Sequence, residues 1–303
     1  MHIPDGFLDL KTAVGAGVVA ATGVGLALQQ VRRQLPPRKV PLLGLAAAFI
    51  FAAQMLNFPV AGGTSGHLIG AVLAAVLLGP AAAVVVMTAV LVVQCFLFQD
   101  GGVSALGANI FNMAVLAPVI GCGIYRLARP VGRIAAAAFA GWCSTVVAAI
   151  SCAGQLALSG TVAWGVAFPA MTGVHMLIGI GEGLITALVL AAVWKARPEL
   201  LNQPAAPAGG LAVAGLVVAL GLALFVAPFA CSWPDGLEKV AEHLGFDAKA
   251  AKTPLLASPI PDYELPGIGS PVVATALAGV LGTVVVFGLS LLLARSLAAN
   301  KES

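Results

Sequence analysis

The sequence predicts an all-α integral membrane protein, a seven-helix bundle followed by two further transmembrane helices, with its N-terminus extracytoplasmic. Three observations carry this expectation. Of the 303 residues, 60% are hydrophobic and 9% charged, with a mean hydropathy of +1.03, a composition that soluble globular domains do not reach. The apolar residues fall into runs, several of them close to the ~20 residues that cross a bilayer as a helix. The basic residues cluster at alternate turns: nine passes from an outside N-terminus put Arg32, Arg33, Arg38, Lys39, Arg126, Arg129, Arg133, Lys195, Arg197, Arg295 and Lys301 in the cytoplasm, and leave Lys11, Lys239, Lys249 and Lys252 outside. The positive-inside rule demands that asymmetry. It accounts for the net charge of +3 without nucleic acid as a partner.

In chain order, the first run covers about 10–31 and ends among arginines, with Pro36 and Pro37 closing the turn. A second covers about 41–58. The stretch 57–66 is polar and glycine-rich and leads through His67 into a short third run that ends at Gly79 and Pro80, residues that break a helix. Runs four and five cover about 81–98 and 105–128, separated by Gln99, Asp100, Gly101 and Gly102. The sixth (about 134–158) and seventh (about 168–194) complete the bundle. Proline, alanine and glycine dominate 196–210, which reads as a linker. Two more runs, about 211–230 and 271–293, flank a mixed segment, 231–270. The division expected is therefore 1–195, a cytoplasmic linker 196–210, and 211–303 with an extracytoplasmic loop 231–270. Five cysteines form no CxxC pair, and four lie in apolar runs, where cysteine acts as a small hydrophobe.

The chain opens Met1-His2-Ile3-Pro4-Asp5-Gly6-Phe7. No basic residue precedes the first apolar run, so this is not the charged start of a cleavable signal peptide, and Met1 is expected to stay. A free α-amine on Met1, the His2 amide nitrogen and His2 Nδ1 can close two fused rings around one divalent cation, with a fourth in-plane position left for His67. Four nitrogens in a plane suit Ni(II) or Cu(II), whereas zinc favours a tetrahedron and calcium or magnesium favours oxygen. Pro4 has no amide proton and so limits further amide ligation. Against this stand ordinary readings: chain ends fray, and a histidine beside Thr64 and Ser65 also suits a local hydrogen bond or cap.

The opening heptapeptide together with Gly62-Gly63-Thr64-Ser65-Gly66-His67 resembles the nickel and cobalt substrate-capture subunits of energy-coupling-factor transporters. Gln94, Asp100-Gly101-Gly102, Ala105-Leu106-Gly107 with Asn109, Asn112-Met113, and Gly173-Val174-His175 through Gly183 resemble the same family, over about 1–194. Pro234-Asp235-Gly236-Leu237-Glu238, Gly245-Phe246 and Pro261-Asp262-Tyr263 resemble the two-helix companion subunit of those systems, so the chain reads as a fusion of both. The resemblance implies a component of a prokaryotic plasma membrane that binds Ni(II) or Co(II) through Met1, His2 and His67. It also implies delivery with a transmembrane coupling protein and a pair of cytoplasmic ATPases, the transported ion being the only metal and no cofactor being permanently bound. The companion part would then assist loading or release through its outer loop. The absence of a GxxxxGK[ST] phosphate loop agrees that ATP hydrolysis belongs to another chain.

His175 and Glu182 lie seven positions apart, on one face of the seventh run. Ionisable groups at such depth mark function or act as interhelical glue. With Asp5 and Gln94 they are candidates to support the metal ligands, and in an alternative reading His175 and Glu182 form the relay of a proton-coupled secondary transporter. An intramembrane metalloenzyme ranks last, because no HExxH pair occurs. Ala13, Gly17, Ala21 and Gly25 form a small-residue stripe suited to close helix contact, with a coupling protein or within the chain. Asp235, Glu238, Glu242, Asp247 and His243 alternate with Lys239, Lys249 and Lys252 and are read as an ordinary solvated amphipathic helix rather than as a metal-collecting surface.

Overall fold

The structure is a computed structural model, and it describes residues 1–198 and 209–299. Most of the expected linker and Lys301 lie outside the described residues. The described residues form an all-α membrane protein apart from one small hairpin. Among the described residues, seven helical stretches are long and apolar enough to span a bilayer: Leu10–Gln34, Pro80–Phe98, Leu106–Ala128, Arg133–Leu158, Trp164–Ala196, Ala212–Phe229 and Pro271–Ala298.

Helix α1 (Leu10–Gln34) starts at an Asp9 cap that accepts the Thr12 N–H and stops before Pro36. Helix α2 (Val40–Gln54) is shorter. The expected loop 57–66 is a hairpin of β1 (Phe58–Val60) and β2 (Thr64–Gly66), antiparallel, with Val60 opposite Thr64. Gly62 and Gly63 turn the chain at φ +74° and +71°, a region glycine enters without a steric cost. His67 is therefore not at a helix start: α3 begins later and covers only Ala71–Leu78. Gly79 at φ +93° breaks it, and Pro80 opens α4 (Pro80–Val93), which runs on as a π-helical turn through Phe98.

Helix α5 (Leu106–Asn109), a second π-helical stretch (Ile110–Leu116) and α6 (Ala117–Ala128) form one continuous rod. Helices α7 (Arg133–Leu158) and α8 (Trp164–Ala196) pack side by side along their length. Gly141 and Gly183 permit this: a Cβ on Gly183 would lie 2.4 Å from the Ala138 carbonyl. Helix α9 (Gly209–Phe225) packs on α2 and on the last helix, α11 (Pro271–Ala299), with the short α10 (Gly236–Leu244) between them in sequence.

The shared core, which includes Ile3, Phe51, Met87, Phe98, Met113, Leu156 and Met171, runs through both parts of the chain. Leu10, Val14, Val18, Leu26, Leu184, Leu188, Val217 and Leu292 stay exposed, as side chains facing lipid do. One end of the bundle collects the N-terminal segment, the hairpin, residues 99–105 and 159–163, and the segment 230–270.

Candidate metal site

Residues 1–7 are threaded into that end instead of fraying. Ile3 is fully buried, and Phe7 nearly so. Asn109 grips Ile3 on both sides, accepting its N–H at 2.8 Å and donating to its carbonyl at 3.1 Å. The Gly102 N–H donates to the same carbonyl at 2.9 Å. Asp5 accepts the backbone and hydroxyl protons of Ser104 at 2.8 and 2.6 Å, its own carbonyl accepts the Ala251 N–H at 2.8 Å, and Thr161 donates to the Phe7 carbonyl. Each such bond contributes about 1 kcal/mol net, and together they set one backbone path.

That path brings three of the expected donors together. The Met1 amine lies 2.8 Å from Nε2 of His67. Nδ1 of His67 faces the Leu68 carbonyl at 3.1 Å, so this nitrogen carries the proton and Nε2 presents a lone pair. Burial, then the nearby N-terminal charge and His2, push the His67 imidazole down to about 3, which keeps it neutral. The His2 and His67 rings stack with centroids 5.4 Å apart. The His2 amide nitrogen has no partner among the described residues. Nδ1 of His2, however, is engaged elsewhere, donating to Asp100 Oδ1 at 2.9 Å.

Two acids complete the surroundings. Asp235 Oδ2 accepts from the Met1 amine at 2.6 Å, while its Oδ1 accepts from Leu237 N and Glu238 N as the cap of α10. Burial alone would raise this carboxyl, but the ammonium and His67 outweigh it and hold the group below the usual carboxylate range. The expected solvated helix is thus present, but its first acid faces inward. Asp100 accepts from Tyr263 Oη at 2.5 Å as well as from His2; burial raises its carboxyl and His2 and Tyr263 lower it further. Nothing in the sequence signals that Asp100 and Tyr263 meet His2, and Asp235 reads there only as part of a solvated or metal-collecting helix. The available signal was the Asp235-to-Glu238 spacing, a capping box, which predicts the helix and not the inward face of its cap.

The remaining candidates occupy distinct places. His175 is closer to the donors than its depth along the helix suggested, because residues 64–70 dip into the bundle to meet it. It lines a cavity of about 10 Å³ with Met1, His67, Thr145, Asp235 and Gly236. Its Nδ1 faces the Met171 carbonyl at 2.8 Å, and its Nε2 is buried without a partner. Glu182 does not pair with His175; its carboxylate accepts Ile69 N at 2.5 Å and Gly70 N at 3.0 Å, holding the strand end that carries His67. Gln94 donates to Gln54, which in turn donates to the Ile69 carbonyl. Asp5 anchors the backbone and touches no donor. Gly17 of the small-residue stripe lies against Gly107 inside the chain.

Among the described residues no group of three or more His, Cys, Asp and Glu side chains is arranged to hold a metal; the nitrogens that converge here include main-chain ones. A hollow of about 900 Å³ lies at the other end of the bundle, lined by Leu42, Phe49, Leu77, Arg129 and Trp194.

Residues 2–200 match the family described as cobalt uptake substrate-specific transmembrane region (CbiM), and residues 209–299 match the PDGLE domain. A putative fused nickel transport protein, NikMN, of Archaeoglobus fulgidus is 40% identical, over 97% of this chain and 98% of that protein. The fused nickel transport protein NikMN of Rhodobacter capsulatus is 31% identical over 94% and 95%. A crystal structure of a truncated transition metal transporter superposes with a TM-score of 0.60 at 36% identity, covering 65% of this chain and 99% of that one.

Proposed function

This chain belongs to the CbiM family of cobalt uptake substrate-specific transmembrane regions, joined to a PDGLE domain, and from that premise we propose that it captures Ni(II) from outside the cell at its own N-terminus. It is a multi-pass component of nickel or cobalt transport in a prokaryotic plasma membrane. Residues 1–195 form the capture unit, 196–210 a cytoplasmic linker, and 211–303 the companion unit. The ion is cargo, bound by the Met1 amine, the His2 amide nitrogen and Nδ1, and Nε2 of His67. Transport then needs a coupling protein in the membrane and a cytoplasmic ATPase pair.

One observation carries this reading. Two nitrogen donors at neighbouring corners of a square plane, each about 2.0 Å from the metal, stand about 2.8 Å apart, and the Met1 amine and His67 Nε2 are separated by 2.8 Å. A single ion can replace the proton between them. The unpaired His2 amide lies next in the chelate ring, and a turn of the His2 ring brings Nδ1 to the fourth corner. Square-planar nitrogen geometry favours Ni(II) over Co(II), and Co(II) is the secondary cargo. Glu182 holds Ile69 and Gly70 directly after His67, a use that does not favour a His175 and Glu182 proton relay.

The test is calorimetry on the full chain in detergent with an unblocked Met1. Near one equivalent of Ni(II) should bind with proton release, as coordination requires deprotonated ligands. His2→Ala, His67→Ala and one extra residue before Met1 should each abolish it. Equal binding by the extended chain would refute the chelate.

A further inference from the structure

One of the four nitrogens proposed to bind the ion is engaged with a carboxylate, and a residue of the companion unit bonds that same carboxylate. Nδ1 of His2 donates to Asp100 Oδ1 at 2.9 Å, and the opposite oxygen of Asp100 accepts from Tyr263 Oη at 2.5 Å. The Tyr263 ring is itself clamped, stacked on Phe98 at 4.7 Å and 13° and leaning on Phe51. Ile260 N donates to the Leu97 carbonyl at 3.0 Å, and Ser258 Oγ to the Cys95 carbonyl at 3.3 Å, so the whole stretch 258–263 is docked where α4 ends. The turn that delivers the phenol is strained. Asp262 and Tyr263 sit at φ +55° and +58° in succession, a left-handed region costly for residues with a Cβ. A second backbone outlier, Gln99 at φ +59°, directly precedes Asp100.

We propose that Tyr263, acting through Asp100, is a positioning residue that draws His2 Nδ1 out of the metal chelate, so that the companion segment controls how long the ion is held. The inference rests on the reading of Met1, His2 and His67 as donors. It follows from exclusion at a single atom: Nδ1 cannot donate a proton to Asp100 and a lone pair to a metal at once. The proton must leave Nδ1 and the ring must turn before that nitrogen can bind the ion. Nε2 of the same ring is buried and without a partner, so it is the bond from Nδ1 to Asp100 that fixes the ring, and binding the ion gives that bond up. When 258–263 is docked, Tyr263 fixes the rotamer of Asp100 against His2 and the ion is bound by fewer nitrogens. When the strained turn lifts away, Asp100 is free to swing toward solvent and the chelate closes. The arrangement lets one segment favour both loading and release, according to its position.

The experiment compares the wild-type full chain with Tyr263→Phe, which removes the hydroxyl and retains the stacked ring, and with Asp100→Asn. Ni(II) affinity is read by calorimetry, its loss by chelator chase, and the His2 tautomer by ¹⁵N NMR on labelled histidine. Tyr263→Phe should bind Ni(II) about tenfold more tightly and release it correspondingly more slowly, as expected when a competent form populated about one part in ten becomes dominant. Asp100→Asn, whose amide oxygen is a weaker acceptor than the carboxylate, should change in the same direction, and the Nδ1–H signature of metal-free His2 should weaken. A merely structural tyrosine would weaken binding when altered, so tightening is the discriminating result. Unchanged or weaker binding in Tyr263→Phe, with His2→Ala still abolishing it, overturns the latch and leaves the chelate. Binding that survives His2→Ala overturns the chelate and the latch with it.

Discussion

His67 illustrates how one side chain acquires a role from its surroundings. Its imidazole, ordinarily near 6.5, is held at about 3, first by burial and then by the neighbouring N-terminal charge. Between those values the unfolded chain binds a proton that the folded chain excludes, so the seating of this segment gains stability as pH rises through the window and loses it on acidification. Hydrogen exchange at the Ile3 amide, corrected for intrinsic rate, should therefore be faster at about pH 4.5 than at about pH 7. Equal protection at both would mean that His67 is not excluded from protonation by its site. Glu182 acts on the backbone instead, since both its oxygens are taken by the N–H groups of Ile69 and Gly70. Glu182→Gln keeps one acceptor and turns an NH₂ toward the other donor, a loss of about 1–3 kcal/mol. Thermal stability and Ni(II) affinity should both fall; unchanged affinity would separate Glu182 from the metal site.

Elements were legible where a single periodic signal governs them and obscure where two distant pieces complete each other. Gly79-Pro80 marks a helix break by its own chemistry, and the structure places it there. The hairpin β1–β2 was not readable, because Gly62-Gly63-Thr64-Ser65 has the composition of a loop; its edge is completed from far along the chain, Ser65 N donating to the Pro234 carbonyl and Ser65 Oγ to the Trp233 carbonyl. The contact between residues 99–105 and the N-terminal segment is equally non-local. A Cβ on Gly102 would stand 2.2 Å from Asp5 N and 2.6 Å from the Pro4 carbonyl carbon, and backbone cannot yield as a side-chain tip does. Gly102→Ala is expected to cost about 1–3 kcal/mol, in the range of overpacked cores, and to unseat residues 1–7 while leaving the helices intact. The readout is loss of Ni(II) binding with an unchanged helical circular dichroism spectrum. Gly123→Ala, where no atom lies within 4 Å of the added carbon, is the matched control and should bind normally.

For the whole molecule, the proposed orientation follows from the distribution of basic residues and has a direct test. Cys95, Cys122, Cys143 and Cys152 lie within candidate spans, and Cys231 lies beyond one, at the end that carries Met1. A membrane-impermeant thiol reagent applied to intact cells should label Cys231, and Cys231→Ser should abolish the labelling; reaction only after the membrane is opened would invert the topology. The sequence by itself determined the membrane class and the helix break at Gly79-Pro80, and it named the three residues proposed as donors, because hydropathy, proline, glycine and the chemistry of a terminal amine beside histidine act locally. Only the tertiary structure decided that Asp235 meets the Met1 amine at 2.6 Å, that Tyr263 reaches His2 through Asp100, and that the two parts share one core. Those contacts join residues far apart in the chain, and such pairing is settled by which backbone path buries the most apolar surface with its polar groups satisfied, a property of the packed whole that no local pattern encodes.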